Sequence, residues 1–356
     1  MFGWFSKKEV SLVVDGSAIL PLQHRETVLN GALRHGLAFP YSCKVGGCAA
    51  CKCKLVSGKV KELTDKSYLL SKEEIQQNYI LGCQSIPVSD VVVALPVNPL
   101  AQQRIRGTVV QQTALTHDIT EVHLQLDAPV RYRPGQYASV QALGTAIPAR
   151  CYSFAHACGG DGQREISFFV RAVPNGRMSH WLMSADALQQ PVELHAALGD
   201  FYLREDVGSN VPQNKSRDLL CVAGGSGLAP LIALLEGALG TDADRRNVYL
   251  LMGARSQHDL YYLDQIRALQ QQWRGRFEFI PVLSEEPADS DWTGQRGWVT
   301  DAITATNTQN AQGYLCGPPP MIDAAITRMT TLGVPREQIF FDKFSDQSQA
   351  GKTTTP

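Results

Sequence analysis

Four cysteines constrain this chain more than any other feature of its sequence. Cys43, Cys48 and Cys51 have the spacing C-x4-C-x2-C, and Cys83 follows 32 positions after Cys51. Three of these thiols fall within one short segment, so the chain must form a tight loop that the fourth thiol reaches from elsewhere in the fold. The pattern predicts a metal centre near the N-terminus.

The spacing is that of a [2Fe-2S] cluster held by four thiolates, and these four cysteines are the predicted ligands. Gly46 and Gly47 allow backbone amides to approach the inorganic sulfides without a side chain in the way. A structural zinc site or a group of free thiols is the alternative, although zinc sites commonly use paired C-x2-C knuckles or histidines. Cys53 lies on a predicted strand, and we interpret it as a packed thiol outside the ligand set.

Length and charge limit the classes of protein to which the chain can belong. It has 356 residues, of which 44% are apolar, and a formal net charge of -1. This length fits two or three domains of about 100 to 150 residues. The near-neutral charge argues against nucleic acid or an anionic bilayer as a partner. No apolar run reaches the roughly 18 residues of a membrane span, and Lys7, Lys8 and Glu9 interrupt the start, so we expect a cytoplasmic protein that is not itself transmembrane.

The periodicity changes twice along the chain and predicts three domains and a tail. Residues 1–98 combine short β-rich runs with a helix that begins after Thr27 and ends near Gly36. Residues 99–212 contain short β-branched runs separated by turns, which indicate an antiparallel barrel. Residues 213–345 alternate strands with helices, which favours a parallel sheet covered on both faces. Residues 346–356 are polar, and we expect them to be disordered.

Helices are expected over residues 228–239, 260–273 and 321–332 of the third domain. Its buried strands are expected over residues 219–223, 248–252, 277–282 and 313–316.

Arg150-Cys-Tyr152-Ser153 opens a strand of the predicted barrel and suits a flavin. An arginine supplies charge for a pyrophosphate, a tyrosine an aromatic face for the isoalloxazine, and a serine a hydroxyl for its N5 edge. An ordinary half-buried strand is the alternative.

A second segment, from Val170 to Ser179, is interpreted as a strand that ends with Gly176 and a helix that starts with Ser179. Amides at such a helix start suit phosphate.

Two glycine-containing turns are predicted where strands of the third domain meet helices. The first is Gly224-Gly225-Ser226-Gly227 and the second begins at Cys316-Gly317-Pro318. Backbone amides in such a turn hold a pyrophosphate, and both turns are expected at the carboxyl edge of the sheet. The first is not a G-x-G-x-x-G fingerprint, and a plain turn is the alternative. Arg255 follows another strand, where it is suited to the 2′-phosphate of NADPH.

In combination, these motifs resemble the reductases that serve bacterial multicomponent oxygenases. Pro40-Tyr41-Ser42-Cys43 through Cys53 resembles their ferredoxin domain, although the family usually has glycine at Ala49 or Ala50. The other segments are similar to the FAD and nicotinamide motifs of the ferredoxin-NADP reductase superfamily, and 283–286 and 314–321 are most similar to the xylene monooxygenase type.

The resemblance implies a β-grasp α+β ferredoxin domain, an antiparallel β-barrel FAD domain and an α/β parallel-sheet NAD domain. It also implies a role for Cys316, Ser153 and Tyr152 beside the reacting atoms, with Cys316 steric and orienting rather than nucleophilic. Phe344 would cover the flavin, with core packing as the alternative. The cofactor-binding residues that it implies are Arg150, Tyr152, Ser153, Val170, Arg171, Gly176, Met178, Ser179, Gly224, Gly225, Ser226, Gly227, Arg255, Cys316, Gly317, Pro318 and Phe344.

The function that this resemblance implies is electron transfer. Hydride would pass from NADH to FAD, with FMN the rival flavin, and electrons would leave singly through the [2Fe-2S] cluster to a terminal oxygenase with a non-haem iron centre, which could be membrane-bound. In similar reductases the segment around Arg255 goes with NADH. A stand-alone NADH oxidase or flavin reductase is the competing enzyme, and a non-enzymatic iron-sulfur sensor is the competing binding protein.

Overall fold

The computed structural model describes residues 10–37, 39–41, 46, 51–66, 70, 72–96, 103–204 and 217–344. These residues form two compact units, one within 10–96 and one within 103–344. The predicted tail 346–356 lies outside the described residues. Among the described residues, no helix is long and apolar enough to cross a membrane.

The first unit is a mixed sheet packed against one helix. Its strands are β1 (Ser11–Val14), β2 (Leu20–Pro21), β3 (Lys52–Ser57), β4 (Val60–Glu62), β5 (Tyr79–Leu81), β6 (Ser85–Pro87) and β7 (Val91–Ala94), and its helices are α1 (Val28–Arg34) and α2 (Lys72–Gln76). The main sheet has the order β2-β1-β7-β3-β5, with β1 and β7 parallel and the other pairs antiparallel, while β4 and β6 form a small separate sheet. A mixed sheet closed around a helix is the predicted β-grasp arrangement.

The helix α1 forms where the sequence predicted it. Thr27 is the N-cap, and its side-chain oxygen accepts a hydrogen bond from the backbone N–H of Asn30 at 3.3 Å, which satisfies one of the donors that a helix start leaves open. Val28 and Leu29 are fully buried in the core of this unit. Gly36 follows the helix with φ +75, a conformation that residues other than glycine rarely adopt.

The barrel lobe, residues 103–204, is a six-stranded antiparallel sheet closed on itself. Its elements are β8 (Gln103–Ala114), β9 (Ile119–Val130), β10 (Tyr137–Ala142), β11 (Arg150–Ser153), β12 (Gln163–Arg171), α3 (Arg177–Met183) and β13 (Pro191–Leu198). The order is β11-β10-β13-β8-β9-β12, and a bridge between Phe154 and Phe168 joins its two ends. The predicted antiparallel barrel is confirmed, with one strand, β13, that the sequence reading did not identify.

The sheet lobe, residues 217–344, is a parallel sheet with helices on both faces. Its strands are β14 (Asp218–Gly224), β15 (Val248–Ala254), β16 (Phe277–Leu283), β17 (Gln295–Arg296), β18 (Ala311–Gly317) and β19 (Ile339–Lys343), and its helices are α4 (Leu228–Ala238), α5 (Leu263–Gln272), α6 (Ala305–Thr308) and α7 (Pro319–Thr331). The order is β17-β16-β15-β14-β18-β19, with every pair parallel. Since β15 and β18 flank β14 on opposite sides, the direction in which successive strands are added to the sheet reverses beside β14, where such sheets bind ligands.

Expected boundaries differ from the structure before α5 and between β12 and α3. The helix expected from Leu260 begins at Leu263, because Tyr262 adopts φ 63, outside the right-handed helical region. The segment after β12 was expected to start a helix at Ser179, whereas α3 starts at Arg177 with Gly176 as its N-cap. The strand also ends earlier than expected, at Arg171.

Candidate functional site

Two of the predicted cluster ligands lie side by side in the first unit. The backbone N–H of Cys83 donates to Sγ of Cys51 at 3.4 Å, and the backbone N–H of Gly82 donates to the carbonyl of Cys51 at 2.9 Å. Both cysteines are nearly buried, at 3% and 5% exposed. A thiolate that accepts an amide hydrogen bond is the usual environment of a cluster ligand, so this pair fits the predicted site.

The remaining parts of the predicted cluster loop are described only at Gly46. A Cβ on Gly46 would lie 2.7 Å from Cγ of Gln84, so this glycine lies against the residue that follows Cys83. Cys43 and Cys48 lie outside the described residues, and their ligand roles stay predictions. Cys53 is fully buried, which raises the pKa of its thiol to about 12 and keeps it protonated at neutral pH.

The predicted flavin strand β11 presents one polar side chain that is almost enclosed. Ser153 is 6% exposed, and its hydroxyl has no hydrogen-bond partner among the residues that the structure describes. Tyr152 lies on the same strand with its ring 6.0 Å from that of Phe168, and burial raises the pKa of its hydroxyl, so it stays protonated. An enclosed hydroxyl without a protein partner is the environment expected beside a polar ligand edge, so these residues fit a flavin.

Arg150, at the start of the same strand, donates to the carbonyl of Ala149 at 2.8 Å and is half-buried. A guanidinium in this position suits a pyrophosphate by charge and shape. The binding role stays a prediction.

In the second predicted flavin segment, several side chains pack or form hydrogen bonds inside the barrel lobe. Val170 and Met178 are 0% and 2% exposed, and their side chains pack in the barrel core. The Ser179 hydroxyl donates to the carbonyl of Gly176 at 3.1 Å and accepts from the backbone N–H of Val173 at 3.3 Å. These contacts fix the turn before α3, so Ser179 orders the segment through its side chain.

The two glycine turns of the sheet lobe pack directly against each other. Gly317 has φ +150, and a Cβ there would lie 3.1 Å from both the N and the O of Gly224. A Cβ on Gly227 would overlap the carbonyl oxygen of Cys316. Both turns lie at the carboxyl edge of the sheet, as predicted, and their glycines are needed for this contact between backbones.

A cleft of about 200 Å³ opens between these turns and the barrel lobe. Five predicted site residues line it: Arg171, Gly224, Gly225, Arg255 and Pro318. Gly225 has φ +55, and a Cβ on it would lie 3.2 Å from Nη1 of Arg171. Arg171, expected from the flavin segment, therefore faces the dinucleotide turn.

Arg255 is held by carboxylates on the cleft wall. Its Nη2 donates to Oδ1 of Asp259 at 2.7 Å and to Oδ2 of Asp118 at 3.2 Å, and it lies 3.3 Å from Nε2 of His117. The two carboxylates and the imidazole are close enough to resemble a metal site. The guanidinium already supplies the positive charge there, so the cluster is an ion-pair network.

Cys316 is fully buried in the core that the sheet lobe shares with Phe169 and Phe201 of the barrel lobe. Burial raises the pKa of its thiol well above the usual value, and the negative charge of the nearby Asp342 adds to the effect. The thiol is therefore a poor nucleophile. Phe344 packs against the same core, and its backbone N–H donates to the carbonyl of Gly317 at 2.9 Å. These placements fit steric roles, which stay predictions.

Asp118 and Trp298 are among the cleft residues that the sequence analysis missed. Asp118 lies in the turn between β8 and β9, and Trp298, 70% exposed, lies at the rim. A lone aspartate in a turn carries no signal, because its partners are distant in sequence. Trp298 follows Gly297 at φ +113, and this glycine was the one available hint of a special backbone position.

Family models match three segments of the chain in the predicted order. Residues 12–88 match a 2Fe-2S iron-sulfur cluster binding domain, residues 106–202 an oxidoreductase FAD-binding domain, and residues 221–327 an oxidoreductase NAD-binding domain. The [2Fe-2S], FAD and NAD cofactors and the three-domain fold class are thereby confirmed.

Relatives match over nearly the whole chain. The xylene/toluene monooxygenase electron transfer component of Pseudomonas putida is 44% identical over 324 residues, which cover 90% of this chain and 89% of the relative. A solved ferredoxin reductase in carbazole 1,9a-dioxygenase is 30% identical, with a TM-score of 0.65 over 95% of this chain and 98% of the other. An Amycolatopsis cytochrome P450 reductase structure is 29% identical, with a TM-score of 0.69 over 95% and 99%. The chain belongs to the family of NAD(P)H-dependent ferredoxin reductases that act as the electron-transfer components of oxygenase systems.

Proposed function

We propose that this reductase oxidises NADH and delivers the electrons, one at a time, to the non-haem iron centre of a partner oxygenase that hydroxylates aromatic or alkyl compounds. One observation carries the proposal: the cleft that brings the barrel lobe, with its flavin strand, against the two glycine turns of the sheet lobe. A dinucleotide bound there reaches from the sheet edge towards the barrel. The paired Cys51 and Cys83 supply the exit for electrons.

FAD, when bound, accepts the electron pair of a hydride and releases single electrons, which a [2Fe-2S] cluster carries one at a time. The residues of this chain position the reactants. Arg150 binds the flavin pyrophosphate, and Ser153 donates a hydrogen bond to the edge of the ring. Phe344 covers the ring where nicotinamide enters, and Cys316 limits how deeply nicotinamide penetrates.

The charges on the cleft wall favour NADH over NADPH. Arg255 is the cation that the sequence predicts for a 2′-phosphate, but Asp118 and Asp259 already bind it, and Glu285 adds a further negative charge. A 2′-phosphate carries about 1.5 to 2 negative charges at neutral pH, so repulsion opposes its entry.

Trp298 is suited to the adenine of the dinucleotide. Its indole is 70% exposed at the rim of the cleft, and a large exposed aromatic ring beside a nucleotide site is a stacking surface. We infer that the adenine stacks on this ring while the glycine turns hold the pyrophosphate.

The domain limits proposed from the sequence are 1–98, 99–212 and 213–345, followed by a tail at 346–356. Each family match falls within one of these ranges, which supports them.

A non-haem iron partner is supported by the relative named as a xylene/toluene monooxygenase component. The relative named as a cytochrome P450 reductase makes a haem partner the alternative. Coupled hydroxylation with a purified non-haem oxygenase, with a P450 as the comparison, distinguishes the two. Turnover with the P450 alone would contradict the proposed partner.

An anaerobic titration of the purified holoprotein with NADH tests the electron pathway. Visible absorption follows the flavin and EPR follows the cluster, so the electrons at each centre are counted separately. We expect both centres to be reduced. Flavin reduction with no electrons on a cluster would support a stand-alone NADH oxidase, and no reduction of either would support an iron-sulfur sensor.

A further inference from the structure

The turn between β8 and β9 fixes the carboxylate of Asp118 on the cleft wall. The hydroxyl of Thr116 donates to Oδ1 of Asp118 at 3.0 Å, and it accepts from the backbone N–H of Ile119 at 3.0 Å. The carbonyl of Asp118 accepts from the backbone N–H of Ala172 at 2.8 Å, which ties the turn to the end of β12. The side chain is 17% exposed. Asp118 is therefore held in place by its own lobe before any ligand binds.

The other carboxylate oxygen bridges two arginines from different lobes. Oδ2 of Asp118 accepts from Nε of Arg171 at 3.0 Å and from Nη2 of Arg255 at 3.2 Å. Burial opposes the charge of Asp118, but Arg171, Thr116 and Arg255 outweigh it, so its pKa lies below the usual value. The carboxylate is ionised at neutral pH and competes with any other anion for Arg255.

Asp259, the second partner of Arg255, has a separate structural task. Its Oδ2 accepts from the backbone N–H and the hydroxyl of Ser256, at 3.0 and 3.1 Å, and so closes the turn that follows β15. Removing that carboxylate would disturb the turn itself. Asp118 approaches from the other lobe and takes no part in shaping the Arg255 turn.

The positive charges around Arg255 are balanced by negative ones, so the site does not attract an anion. The two guanidiniums of Arg171 and Arg255 face the two carboxylates of Asp118 and Asp259. Glu285 lies close enough to act on the charge of Arg255. Loss of one carboxylate would leave Arg255 with a single strong partner and available donors, and a guanidinium with donors to spare binds phosphate well.

We propose that Asp118 is a coenzyme-specificity residue: its carboxylate, contributed by the barrel lobe, occupies Arg255 and thereby excludes the 2′-phosphate of NADPH. This inference rests on the proposed preference for NADH. It places one determinant of coenzyme choice outside the domain that binds the coenzyme.

The variant Asp118→Asn tests the proposal in the full-length holoprotein, since it removes the charge and preserves the shape. Calorimetry measures the affinities for 2′,5′-ADP and 5′-AMP, and the NADPH and NADH values of kcat/KM are measured with ferricyanide. We expect the preference for 2′,5′-ADP over 5′-AMP, and for NADPH over NADH, to rise about tenfold or more. If Asp118→Asn fails to fold, Asp118→Ser carries the same expectation.

Two controls test whether a gain in NADPH preference comes from the release of Arg255 or from the loss of any nearby negative charge. Glu286→Gln removes the charge of a carboxylate on the turn after β16, which accepts from Gln257 and forms no ion pair with Arg255 among the described residues, so we expect a change below about threefold. The double variant Asp118→Asn/Arg255→Ala should lose the gain, because the released guanidinium is absent.

The outcomes distinguish this inference from the function on which it rests. Wild-type protein that prefers NADH, with no change of preference in the Asp118 variants, would overturn the inference alone. An equal gain in Glu286→Gln, or a gain that survives loss of Arg255, would also overturn it. Wild-type protein that binds 2′,5′-ADP as tightly as 5′-AMP would contradict the proposed NADH preference itself.

Discussion

Nδ1 of His156 lies 3.1 Å from Oε1 of Glu236, and this contact joins the barrel lobe to α4 of the sheet lobe. The other ring nitrogen, Nε2, lies 3.1 Å from Oε1 of Glu121 on β9 and 3.1 Å from the hydroxyl of Tyr262. Burial opposes protonation of the ring, but the two glutamates outweigh it and raise the pKa of His156 to about 9. The residue is an imidazolium at neutral pH and binds both lobes through charge-assisted hydrogen bonds.

The stabilisation from His156 should depend on pH in a defined window. Because its pKa is raised on folding from the usual histidine value of 6.5 to about 9, its contribution is complete below about pH 6.5 and is lost as the pH rises through 9. We expect the melting temperature of wild-type protein to fall more between pH 6.5 and 9.5 than that of His156→Gln. Exposed His258 provides the control, and His258→Gln should keep the wild-type slope. Equal slopes in wild type and His156→Gln would contradict the assignment.

The contact between the two glycine turns should not tolerate a methyl group at position 227. In Gly227→Ala the Cβ would overlap the backbone of Cys316, and overpacking of this kind costs about 1 to 3 kcal/mol. We expect a lower melting temperature and weaker NADH binding. Gly159→Ala is the matched control, since no atom lies within 4 Å of its added Cβ. Normal NADH binding by Gly227→Ala would contradict the prediction, because it would show that coenzyme binding does not require close contact between the two turns.

Two of the three buried cysteines described in the first unit, Cys83 and Cys53, should respond differently to substitution. Cys83→Ser removes a predicted thiolate ligand, so the EPR signal and the transfer of electrons to cytochrome c should be lost while ferricyanide reduction by NADH continues. Cys53→Ala removes a protonated core thiol, and the cluster signals should persist with at most about 1 kcal/mol lost in stability. A cluster that survives in Cys83→Ser, or disappears in a folded Cys53→Ala, would show that the ligand set is wrong.

Trp298 should affect coenzyme binding rather than chemistry. Trp298→Ala removes the proposed stacking surface, and base–aromatic stacking of about 1 to 3 kcal/mol corresponds to a rise in KM for NADH of about fivefold or more. The value of kcat should change little, because the indole lies at the rim of the cleft. Trp298→Phe retains an aromatic face and should recover most of the affinity. A fall in kcat at unchanged KM would exclude adenine stacking.

Local signals predicted much of this protein. Thr27 and Gly36 bracket α1 because capping and left-handed backbone depend on nearby residues. The turns at 224–227 and 316–318 were predicted from their glycines. Their position at one edge of the sheet followed from the rule that the carboxyl ends of parallel strands meet there. The start of α5 was missed because Tyr262 takes a backbone conformation that no neighbouring residue signals.

The long-range parts of the site were not predictable from the sequence. Asp118 and Arg255 are separated by 137 positions, and neither residue carries a local pattern that identifies the other. Likewise, Arg171 was expected to serve the flavin, and only the folded chain reveals that it faces Gly225 across the cleft. Ion pairs between lobes depend on how two folded surfaces meet, which is tertiary information.

The back-to-back glycine turns also bear on protein engineering. Because a Cβ at Gly227 would overlap the backbone of Cys316 and a Cβ at Gly224 or Gly317 would crowd the facing turn, a mutant library randomised at these positions would be rich in destabilised proteins. Diversity directed at 116–118, 255–259 and 298 instead would alter the walls of the cleft and leave its floor intact. Directed evolution of coenzyme use in this scaffold therefore has a natural division between fixed and variable positions.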